Sequence, residues 1–273
     1  MARRQVLTAV GALAPMWGTA ATAAASTHWR RERILTTGLS SPVGMAIDRA
    51  GRLLVANWSA GTVTATTPSG ETTQVATGLN GPSGLALAAN GDLFVASYSG
   101  DLVWRISPSG KKEVFVRGLG TPAGLSFDLK GRLLIANRTT NQILAADTAG
   151  RLTVAVEGDL QTPVGAVQFP DGSYAVSNID GGVAFAGPDG RSRTVSREFA
   201  RPGPGVAIAD GSSVYVVDYG GTEVKHVDKD GRTRVVADGF KSPVGLVVSA
   251  DRATAVVADW GSNAAYGLKI GST

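Results

Sequence analysis

The chain has 273 residues, enough for one all-β domain with a sizeable core. It contains no cysteine, which excludes disulfides, thiolate nucleophiles and cysteine-type zinc sites. The formal net charge is +4, and Arg3 and Arg4 supply two of those charges, so the remainder is close to neutral and no nucleic-acid partner is expected.

Residues 1–25 have the pattern of an export signal. Arg3 and Arg4 form a charged start, a mostly apolar segment follows over Val6–Met16, and small residues come next. The two arginines fit either a general secretion signal or a twin-arginine signal. Since no segment reaches about 18 continuous apolar residues, no membrane span is expected. We therefore predict a secreted or cell-envelope protein whose single domain occupies residues 26–273.

The rest of the chain repeats every 40 or 41 residues, six times. One glycine marks each repeat: Gly44, Gly84, Gly124, Gly165, Gly205 and Gly245. One polar residue follows at a constant interval: Asn57, Ser97, Asn137, Asn178, Asp218 and Asp259. A fixed period of this length is typical of a repeat architecture, in which equivalent positions recur around the fold.

Each repeat contains four short runs rich in Val, Ile, Leu and Thr, separated by turns with Gly or Pro. In residues 38–77 the runs read GMAID, RLLVAN, TVTATT and TTQVA. Four antiparallel strands per repeat indicate a propeller blade, so the sequence predicts an all-β, six-bladed β-propeller. The sixth repeat lacks its fourth strand, and residues 33–37 resemble the fourth strands of the others. We expect this N-terminal strand to complete the sixth blade and close the ring.

The repeat pattern Pro-x-Gly-Leu-Ala-x-Asp-x-x-Gly-x-Leu-x-Val-Ala-Asn is nearly complete in residues 42–57. It resembles NHL-type repeats and is similar to the six-bladed propellers of the superfamily containing gluconolactonase/regucalcin, strictosidine synthase and virginiamycin B lyase. The resemblance covers residues 33–273. It implies that the loop entering the first strand and the loop between the second and third strands open on one face, which carries the binding site. It does not specify an activity, because one scaffold hosts many functions.

Carried over to this chain, the resemblance implies one pair of candidate binding residues per blade. The pairs are Asn57–Trp58, Ser97–Tyr98, Asn137–Arg138, Asn178–Ile179, Asp218–Tyr219 and Asp259–Trp260. The x positions of Pro-x-Gly, where gluconolactonase-like relatives hold a divalent cation, are Val43, Ser83, Ala123, Val164, Pro204 and Val244. These side chains offer no ligand set for a hard cation, so neither metal nor cofactor is expected.

The chain has only two histidines, His28 near its start and His226 within a strand-like run. They can form neither the multi-histidine zinc site of amidating-lyase propellers nor the His/Glu pair of streptogramin lyases. Asp48 and Asp128 fall at the first turn of their repeats and are interpreted as turn formers on the opposite face.

Aromatic side chains follow the polar residue in four of the six repeats: Trp58, Tyr98, Tyr219 and Trp260. They either pack between blades or form a half-ring beside the pocket that suits sugar faces and aromatic ligands. Arg138 interrupts this aromatic set and could pair with an anionic group of a ligand.

The polar position also has two interpretations. Asn and Asp at strand ends commonly bind the backbone of the following turn. Alternatively, some of them point into a central pocket, where Asp218 and Asp259, on adjacent blades, could divide their pKa values and act as acid and base.

Three functions follow. The first is a monomer that binds a small molecule, glycan or peptide without a metal ion. Its binding site would be a central pocket on the face where these loops open, the top face. The second is a hydrolase, lyase or cyclase that uses Asp218 or Asp259 as general acid or base, with Asn57, Asn137 and Asn178 orienting the substrate. The third is a structural or protein-interaction propeller.

Overall fold

The computed structural model describes residues 28–271. Within that range the chain forms 24 strands and three single-turn 3-10 helices. The predicted export signal at residues 1–25 lies outside the described residues. In the described part, no helix has the length and apolar character needed to cross a membrane.

The strands are β1 (Arg30–Thr36), β2 (Pro42–Ile47), β3 (Leu53–Asn57), β4 (Thr62–Thr66), β5 (Thr72–Ala76), β6 (Pro82–Leu87), β7 (Leu93–Ser97), β8 (Leu102–Ile106), β9 (Lys112–Arg117), β10 (Pro122–Phe127), β11 (Leu133–Asn137), β12 (Gln142–Ala146), β13 (Leu152–Gly158), β14 (Pro163–Gln168), β15 (Tyr174–Asn178), β16 (Gly182–Ala186), β17 (Arg191–Ser196), β18 (Pro202–Ile208), β19 (Ser213–Asp218), β20 (Val224–Asp228), β21 (Thr233–Ala237), β22 (Pro243–Val248), β23 (Thr254–Asp259) and β24 (Ala264–Lys269). The 3-10 helices Tyr98–Gly100, Arg138–Thr140 and Trp260–Ser262 follow β7, β11 and β23.

The strands form an all-β propeller. Three four-stranded sheets follow chain order, β2 to β5, β6 to β9 and β18 to β21, and a fourth is ordered β1-β24-β23-β22. The first strands of neighbouring sheets meet at the centre, where the recurring glycine is required. A Cβ on Gly84 would collide with the carbonyl oxygen of Ala123, and a Cβ on Gly245 would collide with that of Val43. Backbone therefore packs directly on backbone around the axis, and the last sheet meets the first.

The remaining eight strands depart from the predicted arrangement. Instead of two separate four-stranded blades, they form one sheet in the order β10-β11-β12-β13-β17-β16-β15-β14. The two halves join through a short parallel pairing of Glu157 with Arg191 and Gly158 with Ser192. The Ser192 hydroxyl also donates to the Glu157 carbonyl at 2.9 Å. β13 therefore continues to Gly158, two residues beyond Val156, its last partner to β12.

The N-terminal strand β1 pairs antiparallel with β24, as expected for residues 33–37, but it begins earlier, at Arg30. Just before it, Trp29 is 3% exposed and stacks edge-on against Tyr215, with ring centroids 4.6 Å apart. The Arg31 guanidinium carbon lies 4.3 Å from the centroid of the Tyr266 ring. The start of the described chain is therefore held both by its own sheet and by the preceding one.

Apolar side chains fill the spaces between sheets. Leu54 and Val63 of one sheet, for example, pack in one cluster with Leu85 and Val95 of the next. Every blade thus buries both faces, which explains why the second strands are buried along their whole length.

The turns between first and second strands lie on the face opposite the candidate site. The Asp48 carboxylate accepts the backbone N–H groups of Ala50 and Arg52, both at 2.9 Å. Two repeats later, Asp128 makes the same contacts with the N–H groups of Lys130 at 2.9 Å and Arg132 at 2.8 Å. The interpretation of both aspartates as turn formers is confirmed.

Candidate functional site

Two loops of each sheet come together on one face of the propeller, here called the top face. One loop enters the first strand, and the other joins the second strand to the third. The N–H of Trp58 donates to the Ser41 carbonyl at 3.1 Å, and the N–H of Tyr98 donates to the Gly81 carbonyl at 3.0 Å. The recurring polar residue and its neighbour, which the sequence singled out as candidate binding residues, lie at this junction.

The recurring polar side chain is buried and ties the two loops together. In each of the six repeats it binds the backbone of the residue 17 positions earlier, in the loop that enters the first strand. Asn57 Oδ1 accepts the N–H of Ser40 at 3.1 Å, and Asn137 Oδ1 accepts that of Gly120 at 2.7 Å. The other contacts are Ser97 to Asn80, Asn178 to Gln161, Asp218 to Arg201 and Asp259 to Ser242. These six side chains therefore act first as loop anchors.

Asp218 is engaged on both carboxylate oxygens. It accepts the N–H groups of Ala200 at 3.0 Å and Arg201 at 2.8 Å. The ammonium group of Lys225 lies 3.0 Å from the same carboxylate, which is 2% exposed. Charge and hydrogen bonding at Asp218 are thus satisfied within the protein.

Asp259 is held in the same way by four donors. The N–H groups of Lys241 and Ser242 donate at 3.0 and 2.7 Å, that of Gly261 at 3.2 Å, and the hydroxyl of Ser262 at 2.9 Å. The residue is 1% exposed. An acid–base role for Asp218 or Asp259 stays a prediction, but both carboxylates have the contacts of structural anchors rather than of groups that face a substrate.

The residue after each anchor is half-buried on the top face, and four of these form a continuous aromatic arc: Tyr219, Trp260, Trp58 and Tyr98. The ring centroids of Tyr219 and Trp260 are 6.4 Å apart, those of Trp260 and Trp58 6.1 Å, and those of Trp58 and Tyr98 4.8 Å. The rings pack against one another across sheet boundaries and still keep exposed surface. Both sequence interpretations, packing and a half-ring, therefore describe the same residues.

Arg138 extends the aromatic arc by one more sheet. Its Nη1 donates to the Tyr98 hydroxyl at 2.6 Å, and its guanidinium carbon lies 5.1 Å from the centroid of the Tyr98 ring. Its Nε is sealed from solvent without a hydrogen-bond partner. In the other half of the same eight-stranded sheet, Ile179 packs onto an apolar core cluster instead, which ends the series.

The centre of the propeller offers little room. A cavity of about 70 Å³ is lined by the first strands, including Val43, Ser83 and Pro204. Ligand pockets for small organic molecules typically enclose about 300–1,000 Å³. A ligand on the top face would consequently lie over the aromatic arc rather than inside a deep central pocket.

Among residues 28–271, no three or more His, Asp or Glu side chains are grouped to hold a metal ion. His226 lies on β20, where its Nε2 is 2.9 Å from the Ser213 hydroxyl and its ring centroid is 5.6 Å from that of Tyr215. Burial, helped by the nearby Arg234 guanidinium, lowers the pKa of His226 from its usual 6.5. This histidine is a packed, neutral side chain away from the top face.

The sequence interpretation missed two relationships. It expected the polar residues to bind the following turn, which Asp259 does through Gly261 and Ser262, but it did not foresee that all six also bind the preceding loop. It also missed the contact between Arg138 and Tyr98, which are 40 residues apart. The repeat period carried that signal, because equivalent positions of successive repeats are neighbours around a ring.

No protein-family model and no curated protein matches this sequence. Solved structures do match. A gluconolactonase from Xanthomonas campestris is 15% identical, with a TM-score of 0.77 over 89% of this chain and 95% of that one. A catalytically inactive virginiamycin B lyase from Staphylococcus aureus with quinupristin is 16% identical, with a TM-score of 0.66 over 84% and 80%. A chain of a nidogen/laminin complex is 18% identical, with a TM-score of 0.68 over 77% and 87%. At these identities the likeness establishes a β-propeller fold and no activity.

Proposed function

We propose that this protein is a six-bladed propeller that recognises a small molecule, glycan or peptide on its top face without a metal ion. The contacts at the centre of the fold support this number of blades. The first strands β2, β6, β10, β14, β18 and β22 contact one another in turn, and β22 contacts β2. On this view the eight-stranded sheet is two blades whose outer strands, β13 and β17, pair with each other.

The aromatic arc is the observation that carries the binding proposal. Its four rings are half-buried, so their positions are fixed by packing while part of each ring stays available. Tyr and Trp provide large contact areas at a low cost in side-chain entropy, and their faces suit sugar rings and aromatic groups. The buried anchors beneath them hold the loops that present the rings.

A hydrolase or lyase is the second candidate, favoured by the shared fold with a gluconolactonase and a virginiamycin B lyase. This support is an analogy at the level of fold. The contacts of Asp218 and Asp259 argue against the acid–base pair predicted for it, because a proton carrier must reach its substrate and both side chains are 1–2% exposed.

The binding proposal is tested with Trp58→Ala and Trp260→Ala against a panel of oligosaccharides, small aromatic molecules and short peptides. Calorimetry and ligand-observed NMR should show that a probe held by the wild type loses about tenfold or more in affinity with either variant. Trp104→Phe, on β8 and outside the aromatic arc, should bind as the wild type does.

Melting curves of the three variants separate lost binding from lost folding. Affinity that is insensitive to both arc tryptophans, or a panel without any saturable binding, would contradict the recognition role. Turnover that disappears in Asp218→Asn or Asp259→Asn at unchanged stability would instead favour the enzyme.

A further inference from the structure

We infer that the top-face ligand carries a carboxylate on or beside a ring, and that Arg138 binds this carboxylate while the ring lies on the aromatic arc. The inference rests on the proposed recognition role of the arc and adds the chemical class of the ligand. It comes from the charge, orientation and neighbours of Arg138.

Arg138 has no anionic partner among residues 28–271, whereas four arginines of the opposite face are each paired with an aspartate. Those pairs lie at 2.6–2.7 Å: Arg52 with Asp48, Arg105 with Asp92, Arg132 with Asp128 and Arg151 with Asp147. Arg138 meets only the neutral Tyr98, through its hydroxyl and its ring face. A half-buried guanidinium without a counter-charge favours an anion from outside the chain.

The orientation of Arg138 is fixed. Nη1 is bound to the Tyr98 hydroxyl and Nε is sealed, so the bonded hydroxyl and the stacked ring hold the plane of the guanidinium. Nη2 makes no hydrogen bond within the described residues, and unlike Nε it is not closed off from solvent. A planar, pre-oriented guanidinium is the group that recognises carboxylates best, because it offers parallel N–H donors.

The geometry also places a ring next to the charge. The Trp58 ring follows Tyr98 at a centroid distance of 4.8 Å and leads away from Arg138 toward Trp260. A ligand whose carboxylate sits at Arg138 would lay an adjoining ring over Tyr98 and Trp58. Uronic acid sugars and aromatic carboxylic acids share this chemistry.

Two matched pairs of probes test the inference and separate the two sources. One pair is 4-nitrophenyl β-D-glucuronide and the neutral 4-nitrophenyl β-D-glucoside. The other is indole-3-propionate and indole-3-propionamide. In calorimetry at low ionic strength, the acidic member of at least one pair should bind about tenfold tighter or more to the wild type, the range of a charge-assisted hydrogen bond. The pair that shows the preference identifies the ligand as a sugar acid or an aromatic acid.

Arg138→Gln should abolish the preference for the acidic probe and leave the neutral probe unchanged. Arg191→Gln is the matched control, since it removes the same charge from a side chain that is 90% exposed on another part of the fold. Tyr98→Phe keeps the ring and removes the hydroxyl that orients Arg138, so it should weaken the preference with little effect on the neutral probe. This second variant keeps the test valid if Arg138→Gln folds poorly.

Three results overturn the inference. The first is equal affinity of the wild type for both members of each pair, and the second is absence of binding by all four probes. The third is a preference for the acidic probe that survives in both Arg138→Gln and Tyr98→Phe. The proposed function fails by a different result, namely a probe that binds but whose affinity responds neither to Trp58→Ala nor to Trp260→Ala. A preference that fades as salt is raised supports the role of charge.

Discussion

The carboxylate of Asp259 accepts the backbone N–H of Ser242 at 2.7 Å, across 17 residues of chain. The two residues belong to different top-face loops of the same sheet, so this bond fixes one loop relative to the other. Trp260 is the next residue and takes its place in the aromatic arc from this geometry. The recurring polar position of the sequence therefore supports the aromatic arc and is not part of it.

Replacing this anchor should destabilise the protein in a graded way. Asp259→Ala leaves the partly buried N–H groups of Lys241 and Ser242 without their acceptor, which should lower the free energy of unfolding by about 2 kcal/mol. Asp259→Asn keeps one acceptor oxygen, as Asn137 does in its own sheet, and should lose about 1 kcal/mol. Urea unfolding followed by circular dichroism measures both.

The control for the anchor is Asp251→Ala, in an exposed turn of the same sheet, which should leave the unfolding midpoint close to that of the wild type. If Asp259→Ala were as stable as this control, the anchoring role would be wrong.

The central glycines should tolerate no side chain. In Gly84→Ala the new Cβ would meet the backbone of Ala123 and would lie 2.8 Å from the N of Leu125, so the inner strands must separate, at a cost of about 3 kcal/mol. Gly211→Ala is the matched control, because nothing lies within 4 Å of a Cβ there. Thermal and urea unfolding should distinguish the two variants, and similar midpoints would show that the centre can relax.

The sequence predicted the propeller because its period, its turn residues and its missing strand all constrain the backbone in the same way. It could not predict the joining of β13 and β17, since that depends on two residues at the end of an outer strand, Glu157 and Gly158, which follow no periodic pattern. The site was predicted as a set of positions. The geometry of the loops decides which side chains point into the protein and which stay half-exposed. Asn137 points inward and Arg138 stays half-exposed, and neither position encodes this by itself.

His226 should make the protein less stable in mild acid. Because burial and Arg234 lower its pKa below 6.5 in the folded state, the unfolded chain takes up the proton at a higher pH than the folded chain does. The stabilising contribution is complete above about pH 6.5 and is lost as the pH falls through the lowered pKa. Unfolding free energies measured between about pH 7 and pH 5 should therefore decrease.

The slope of that decrease identifies the residue responsible. His226→Gln keeps a polar partner for the Ser213 hydroxyl and should flatten the pH dependence, whatever its effect on absolute stability. An undiminished slope in His226→Gln would assign the acid sensitivity to other groups.

The segment before β1 should contribute to stability through one side chain above all. Trp29 is 3% exposed and packs with Tyr215 and Phe240 in the core of the neighbouring sheet, so Trp29→Ala should cost about 3–5 kcal/mol. Ile34→Ala lies on the same N-terminal segment but is 55% exposed, and should change the unfolding midpoint little. Differential scanning calorimetry of the two variants tests this, because equal melting temperatures would mean that the ring closes through the hydrogen bonds between β1 and β24 alone. A large loss confined to Trp29→Ala would show that closure also depends on this contact with the preceding sheet.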